Sequence, residues 1–317
     1  MASLFIIGNG FDIAHGIPSK YSDFRKYLIE QYPDALQNRD IKICFEDFFE
    51  VPLEELSVEF LLSAMDKTQG ENWENFESEL AYVTFNEKFP EPNHKEDETE
   101  EEDNSLIRDY LLYMKKIVKG VILICSEFWQ ELFQNWIREV QVPINIHNYV
   151  PKNGLRELFK KEDSIFFSFN YTKTLEKLYG IKEVTHIHNR VGEKLIFGHG
   201  EKSVLYGQKD CAMLSASFLD DMVMSFKKDT DFPMIKHKKF FKSLSTDITK
   251  VYSYGFSYGK VDAVYIKRII KSISSDATWY FTKFEARDAK TLRMKKIKLR
   301  KYGFKGNFDV YEGEKNG

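Results

Sequence analysis

The chain has 317 residues, of which 43% are hydrophobic and 15% aromatic, so it is long enough to bury a sizeable core. Its 46 basic and 49 acidic side chains give a net charge of -3, which does not indicate a general nucleic-acid binder, since such domains are usually basic. Three widely spaced cysteines, Cys44, Cys125 and Cys211, form no paired motif, so neither a zinc site nor a disulfide framework is predicted.

The composition and the apolar runs also predict where the protein works. Unpaired cysteines favour a reducing, intracellular compartment, and therefore the cytoplasm. The chain enters an apolar strand at once, without a basic segment or cleavage site ahead of it, so no signal peptide is expected. The longest apolar run, 117–125, is shorter than the about 18 residues that a membrane span needs, so no membrane partner is expected.

The first eighteen residues combine an apolar strand with a glycine-rich turn. Residues 3–7 form the strand, and the turn that follows ends at Pro18, which suits the start of a helix. This arrangement is the usual approach of an α/β sheet to a nucleotide phosphate, because glycine lets a ligand lie against backbone N–H groups. It is not the dinucleotide fingerprint, since Ile13 stands where a third glycine or alanine is required. The turn residues expected to contact a nucleotide are Gly8, Asn9, Gly10, Phe11, Gly16 and Pro18.

A mostly helical insertion is predicted after the first strand. Apolar side chains recur at helical spacing over 51–67 and over 106–140. Between them, the acidic stretch near 90–105 lacks large apolar residues, so it is predicted to be a solvated loop. The predicted domains are a Rossmann-like nucleotide-binding core of 1–30 and 150–317 and a helical insertion of 31–149.

The α/β character returns in the second half of the chain. Residues 163–170 form an almost continuous apolar run, which is typical of a strand covered on both faces. Further candidate strands lie at 184–188, 194–197, 250–254, 277–282 and 308–311, with helical stretches between several of them. The fold class predicted is α/β: a Rossmann-like parallel sheet flanked by helices, with the large helical insertion after the first strand.

Residues suited to ligand binding follow four of the predicted strands. Asn170, His188 and the stretch from Gly255 to Ser257 lie at or just beyond strand ends, as does the first glycine turn. In an open α/β sheet, ligands bind along that edge. Asn170 offers an amide donor and acceptor, and His188 offers a group that titrates near neutral pH and can accept a proton from water or a sugar hydroxyl. Gly255 and Ser257 offer a close backbone approach and a hydroxyl.

Other histidines compete for roles at this edge. His199 rivals His188 as the base, because the glycines on both sides of it leave room for a ligand. His186 and His188 alternate along a strand, so with His199 and Asp12 they are compatible with the metal site of a nuclease, although we assign no metal ligand from this spacing. Each feature alone also has a structural explanation. Together, and in this order, they favour a nucleotide site.

Several of these stretches resemble the bacteriophage abortive infection AbiH family. The matching segments are IIGNGFDIAHGIPSKYSDF, FSFNYTKTLE, HIHN, FGHG and YGFSYGKVD, which are spread over most of the chain. The resemblance implies a bacterial protein that limits phage growth by harming the infected cell. A phage-derived trigger and a homo-oligomer are partners that such a role would accommodate.

The same stretches are similar, in the same order, to motifs of sirtuin-like NAD-binding domains. Three glycines and Pro18 match the first sirtuin loop, Asn170 and His188 match the next two motifs, and Gly255-Phe256-Ser257 matches the last. This resemblance implies NAD or a related nucleotide as ligand, with Asn170 positioning the ribose or a water and His188 acting as base. The residues that would contact the nucleotide include Gly8, Gly10, Gly255, Ser257 and, at the end of the last segment, Asp262.

Three departures from the sirtuin pattern bear on the chemistry. Thr172 stands where sirtuins carry an aspartate, and Asp12 stands in the loop where they carry a small serine, so Asp12 could supply the missing carboxylate. Because an acidic side chain repels a phosphate, Asp12 is expected to face a sugar hydroxyl, a metal or a different ligand. The zinc-binding cysteines of deacetylating sirtuins are absent, which argues against protein deacetylation.

The motifs support three functional hypotheses. The first is an antiphage hydrolase, similar to NAD glycohydrolases, which needs no cofactor and cleaves NAD or a related nucleotide with Asn170 and His188. The second is a metal-dependent nuclease that uses His188, His199 and Asp12. The third is a non-enzymatic sensor that binds a nucleotide and acts through assembly.

Overall fold

Six parallel strands form one sheet, in the order β3-β2-β1-β4-β5-β6. This is the strand order of a doubly wound Rossmann sheet. The computed structural model describes residues 2–36, 52–67, 73, 76–77, 80, 127–146, 148–160, 163–200 and 224–313. The strands are β1 Ala2–Ile7, β2 Ser164–Ser168, β3 Val184–His186, β4 Ile248–Tyr254, β5 Thr278–Thr282 and β6 Asn307–Tyr311. The prediction of an α/β, Rossmann-like parallel sheet flanked by helices is confirmed.

Helices precede or follow most strands. They are α1 Gly10–Ala14, α2 Tyr21–Gln31, α3 Leu53–Lys67, α4 at 127–145, α5 Asn153–Phe159, α6 Thr174–Tyr179, α7 Asp231–Lys236, α8 Lys238–Ser243, α9 Ala263–Ile270, α10 Lys283–Ala286 and α11 Ala289–Lys301, with a 3-10 turn at Pro33–Leu36. Within the described ranges, every helix is too short or too polar to span a bilayer.

Alternating side chains of the central strands bury the sheet on both faces. Leu4 and Ile6 of β1 belong to one apolar cluster, which Ile266 of α9 completes. Phe5 and Ile7 point to the opposite face, where α1 and α5 cover them. Since successive strand residues point to opposite faces, an uninterrupted apolar run such as β1 is what a doubly covered strand requires.

One predicted strand, at 194–197, is wrong. This segment is not a strand because its polar groups bond to the turn after β3 rather than to a neighbouring strand. The Ile196 N–H donates to the His188 carbonyl at 3.1 Å, and the Asn189 side chain donates to the Lys194 carbonyl at 2.6 Å. The three apolar residues of this segment, Leu195, Ile196 and Phe197, do not indicate which hydrogen-bond partners their backbone finds.

The chain divides into two compact units. The sheet unit comprises Met1–Asp23, Gln134–Phe197 and Lys228–Gly317, and the second unit comprises Phe24–Phe133 and Gly198–Lys227. The second unit has its own aromatic packing, in which Phe133 makes edge contacts with Phe24 and Trp73 at 5.3 and 5.4 Å between ring centroids. The predicted division into 1–30 with 150–317 and 31–149 stays a prediction. The acidic stretch near 90–105 and the three cysteines lie outside the described residues.

Candidate functional site

The candidate site lies at the carboxyl edge of the sheet, near the point where the strand order reverses. The chain continues from β1 to β2 on one side, and from β4 to β5 on the other, so a crevice is expected between the ends of β1 and β4. The glycine turn follows β1, and Gly255 directly follows β4. Asn170 and His188 lie two residues beyond β2 and β3. The predicted residues therefore follow four adjacent strands.

The glycines at this edge pack against one another. A Cβ on Gly255 would lie 2.4 Å from the Gly10 Cα, and one on Gly8 would lie 2.6 Å from the Gly255 carbonyl oxygen. The Gly8 N–H donates to the Tyr254 carbonyl at 2.9 Å, and the Gly10 N–H donates to the Gly255 carbonyl at 3.0 Å. These N–H groups are therefore used within the fold, and the predicted contact of the glycines with a phosphate stays a prediction.

The other turn residues also hold the turn in place. Asn9 donates from its amide to the Ser19 carbonyl at 2.9 Å, and Phe11 is fully buried. Gly16 adopts a φ of 77°, which favours glycine, and Pro18 is exposed. The predicted contacts of these four turn residues with a nucleotide stay predictions. Asn9, Phe11 and Gly16 have structural roles in the turn, and Pro18 lies at its surface.

Asp12 is the exception in this turn. Its side chain is buried at 1% exposure on the short helix α1, and its Oδ2 accepts a hydrogen bond from the Thr172 hydroxyl at 2.6 Å. Thr172 also shares a hydrogen bond with the Thr174 hydroxyl at 3.0 Å. Burial raises the pKa of Asp12 to about 6, against the Thr172 hydrogen bond, which lowers it. The carboxyl group therefore exchanges its proton close to neutral pH.

Polar atoms without partners accompany Asp12. Among the described residues, Asp12 Oδ1 has no hydrogen-bond partner, and neither does the side-chain oxygen or nitrogen of Asn170, which is 6% exposed. The Asn170 amide nevertheless faces the Asp12 carboxyl as a donor and lowers its pKa, although the two groups do not meet hydrogen-bond geometry. Buried polar atoms are nearly always satisfied, so such a group indicates a bound water or a ligand. Asp12 and Asn170 together form the candidate site.

A chain of hydrogen bonds fixes the backbone of Asn170. The Asn170 N–H donates to the Ser168 hydroxyl at 3.1 Å, and its carbonyl lies 2.9 Å from His186 Nδ1. His186 Nε2 in turn lies 3.0 Å from a Glu176 carboxylate oxygen, which also accepts from Arg190. Both ring nitrogens of His186 therefore contact protein groups, and these two contacts make it a positioning residue for Asn170.

His188 forms a separate buried cluster. Its Nε2 lies 3.0 Å from Asp262 Oδ1, and the Lys228 ammonium lies 3.3 Å from the same oxygen. Burial lowers the pKa of His188, as does the charge of Lys228, whereas Asp262 raises it. The pKa of Asp262 is lowered although burial opposes this, because Lys228 and His188 both favour its charged form.

Aromatic rings enclose His188. Phe169 meets the imidazole edge to face at 5.4 Å between centroids, and Tyr265 does so at 5.9 Å. Asp262 engages Nε2, and the backbone of Phe169 also hydrogen-bonds to the ring, so both contacts hold the imidazole in place within the fold. Asp262 acts as an ion-pair partner here, and its predicted contact with a nucleotide stays a prediction.

Lys228 is the member of this cluster that the sequence does not reveal. Its side chain is 1% exposed, although lysine is almost never fully buried without a partner. In the sequence it follows Lys227 in a polar stretch, which is typical of a solvated face. Asp262 lies 34 residues further along the chain, and no local sequence pattern connects the two residues.

The structure also places Ser257 and His199, two other predicted residues. Ser257 is exposed, and its carbonyl accepts from Lys298 at 3.3 Å. His199 belongs to the second unit, where it is buried and its N–H donates to the Phe226 carbonyl at 3.1 Å. Over the described ranges, no group of three or more His, Cys, Asp or Glu side chains could hold a metal ion.

Comparison with known proteins identifies the family. A family model described as bacteriophage abortive infection AbiH matches residues 4–283, which include both clusters. No curated protein and no solved structure matches the chain. The similarity to sirtuin-like domains is therefore not shown, whereas the AbiH prediction is confirmed. With most of its length matched, this chain belongs to the bacteriophage abortive infection AbiH family, and its role lies in antiphage defence by abortive infection.

Proposed function

We propose that this protein acts in abortive infection by hydrolysing the glycosidic bond of NAD or a related nucleotide at Asp12 and Asn170. The observation that carries the proposal is the set of unpartnered atoms on these two buried side chains, next to the edge where Rossmann sheets bind nucleotides. A family role in abortive infection is compatible with destroying a nucleotide that the infected cell needs.

Asp12 has the properties of a general base for this reaction. In the proposed step, a water oxygen bonds to C1′ of the ribose while the bond from C1′ to the nicotinamide nitrogen breaks. The bonding electron pair leaves with the nicotinamide, which becomes neutral, and a water proton passes to Asp12 Oδ1. The products are nicotinamide, ADP-ribose and a proton. The carboxylate also stabilises the positive charge that develops on the ribose.

The contacts of Asp12 support this assignment. The Thr172 hydroxyl occupies Oδ2, which leaves Oδ1 for a water. With a pKa of about 6, most Asp12 side chains are ionised at pH 7 and can accept a proton. The side-chain oxygen of Asn170 can accept a hydrogen bond from the attacking water or from a ribose hydroxyl, and its position is fixed through His186.

The test measures nicotinamide release from NAD by the full chain, with and without an extract of phage-infected cells. We expect Asp12→Asn to slow release by about 100-fold or more, because loss of a general base typically costs 10² to 10⁴ in rate. Asn170→Ala should slow it by about tenfold or more, through loss of water or ribose positioning.

Matched controls come from β6, at the edge of the sheet. Asp309→Asn and Asn307→Ala make the same chemical changes at exposed positions and should leave the rate within about twofold. Intact NAD with every extract tested, while the same protein still blocks phage, would contradict the proposal. Full protection by Asp12→Asn would instead favour the nucleotide sensor.

A further inference from the structure

A cavity of about 430 Å³ opens beside the loop that follows Asn170. It lies within the sheet unit, between α4, the start of α6 and the turn after β3. Its volume is within the range of small-molecule sites, about 300–1,000 Å³. Its lining residues are Arg138, Gln141, Asn145, Lys173, Lys177, Val191 and Gly192.

The described charged residues that line this cavity are all cations. Arg138, Lys173 and Lys177 contribute three positive charges, and none of the lining residues that the structure describes is acidic. Arg138 donates to the side chain of Asn135 at 2.6 Å, and within the part of the chain that is described none of the three cations pairs with a carboxylate. Three unpaired cations on a concave surface produce a local positive potential that attracts an anion.

Hydrogen bonds preform the walls of the cavity. The buried side chain of Gln141 accepts from the Lys173 N–H at 2.7 Å and donates to the Asn145 side chain at 2.9 Å, which ties α4 to the start of α6. The Val191 N–H donates to the Tyr171 carbonyl at 2.8 Å, which ties the turn after β3 to the same loop. Cations on a preformed frame bind an anion with less loss of conformational entropy.

We infer that this basic cavity binds the phosphate groups of the nucleotide. Lys173 follows Thr172, whose hydroxyl bonds to Asp12, so one loop borders both the cavity and the candidate site. A nucleotide with its phosphates among the cations keeps them away from the Asp12 carboxylate, which would repel them, and leaves the sugar for Asp12. The inference rests on the proposed function for the position of the sugar, whereas the anion site rests on the cations alone.

The experiment measures binding of pyrophosphate, ADP and adenosine to the full chain by calorimetry at low salt. We expect pyrophosphate and ADP to bind, with adenosine at least about tenfold weaker, because it lacks the phosphates. Lys173→Gln/Lys177→Gln should weaken ADP binding by about tenfold or more and reduce its salt dependence. The control, Lys160→Gln/Lys182→Gln, removes the same charge at exposed positions outside the cavity.

Two outcomes distinguish a failure of the phosphate site from a failure of the proposed hydrolase. ADP binding that needs Lys173 and Lys177, in a protein that never releases nicotinamide, would sustain the phosphate site and refute the hydrolase. Nicotinamide release with an unchanged KM in the lysine double variant would sustain the hydrolase and overturn the phosphate site. Equal ADP binding by both double variants, or binding of a single-stranded RNA oligonucleotide without binding of ADP or pyrophosphate, would also overturn it.

Discussion

At the scale of single residues, Asp12 occupies a position that disfavours its ionised form. Burial removes water from the carboxylate, and one hydrogen bond from Thr172 replaces it only in part. Because the pKa in the fold, about 6, exceeds the ordinary 3.8, the unfolded chain releases this proton first as the pH rises. The contribution of Asp12 to stability is thus fully present below pH 3.8 and is lost as the pH rises through about 6.

This gives a prediction for stability against pH. Asp12→Asn removes the ionisable group, so above pH 7 the variant should be more stable than the wild type by up to about 3 kcal/mol in free energy of unfolding, the equivalent of two pKa units. The difference should shrink between pH 6 and pH 4. Urea unfolding at several pH values checks it, with Asp309→Asn as the control. A difference that does not change with pH would contradict the buried, raised-pKa carboxyl.

For Asp12, a rise in pH is expected to change stability and activity in opposite directions. A base must be ionised, so nicotinamide release should rise as the pH passes through about 6, over the interval in which stability falls. Such opposition between a stable fold and a reactive group is common at functional sites.

Lys228 provides a second prediction at this scale. Lys228→Met leaves Asp262 buried with His188 as its remaining partner in the cluster, so the free energy of unfolding should fall by about 3 kcal/mol, as for other broken buried pairs. The pKa of His188 should rise, because the Lys228 charge lowers it in the wild type. Lys227→Met, an exposed neighbour, should change the free energy by less than about 0.5 kcal/mol. Equal stability of the two variants in denaturant would show that the ion pair is unimportant.

Residue roles were predictable from the sequence only in part. The edge on which Asp12, Asn170 and His188 lie follows from strand ends, which the apolar pattern marks. Which of them keeps a free polar atom does not follow, because it depends on partners such as Thr172 and Asp262 that distant parts of the chain supply. The sequence therefore offers His188, His199 and Asp12 as candidates, and the choice of Asp12 as the base is part of the proposal.

At the scale of elements, the glycines decide how closely two loops approach. Gly255 has a φ of 64° and lies against the backbone of Gly10. Gly180, at the end of α6, has almost the same φ, 68°, but no atom within 4 Å of an added Cβ. The two positions differ in the space around them, so they form a matched pair.

Alanine substitutions at this pair separate backbone strain from steric conflict. Gly180→Ala should lower the free energy of unfolding by about 1–2 kcal/mol, the cost of a left-handed φ for a residue with a Cβ. Gly255→Ala should cost about 2–3 kcal/mol more, because the loops after β1 and β4 must move apart. Thermal and urea unfolding check this. Similar losses for both variants would mean that the loops are not closely packed.

The strands show how far local sequence patterns can predict secondary structure. The central strands were predictable because β1 and β2 are mostly apolar on both faces and end at a glycine or a polar residue. The segment 194–197 has a similar pattern but is not a strand, since the turn after β3 takes its hydrogen bonds. Pairing partners, rather than the apolar residues themselves, decide between the two outcomes.

At the scale of the whole molecule, the family role gives a prediction in cells. Bacteria that express the wild-type chain should restrict phage and lose NAD after infection, whereas cells that express Asp12→Asn should do neither at equal protein levels. Plaque counts and extracted NAD, measured together over one infection cycle, check this. Asp309→Asn should behave as the wild type. Phage restriction with undiminished NAD would exclude NAD as the relevant substrate.

Patterns along the chain are enough to predict the α/β class, the strands that end at the candidate edge, and the membership in the AbiH family. Only the folded chain reveals that the glycines pack two loops together, that His188 is held by Asp262 and Lys228, and that Asp12 and Asn170 keep unpartnered atoms. Burial and hydrogen-bond partners arise between distant segments, and these set the pKa and availability of each group.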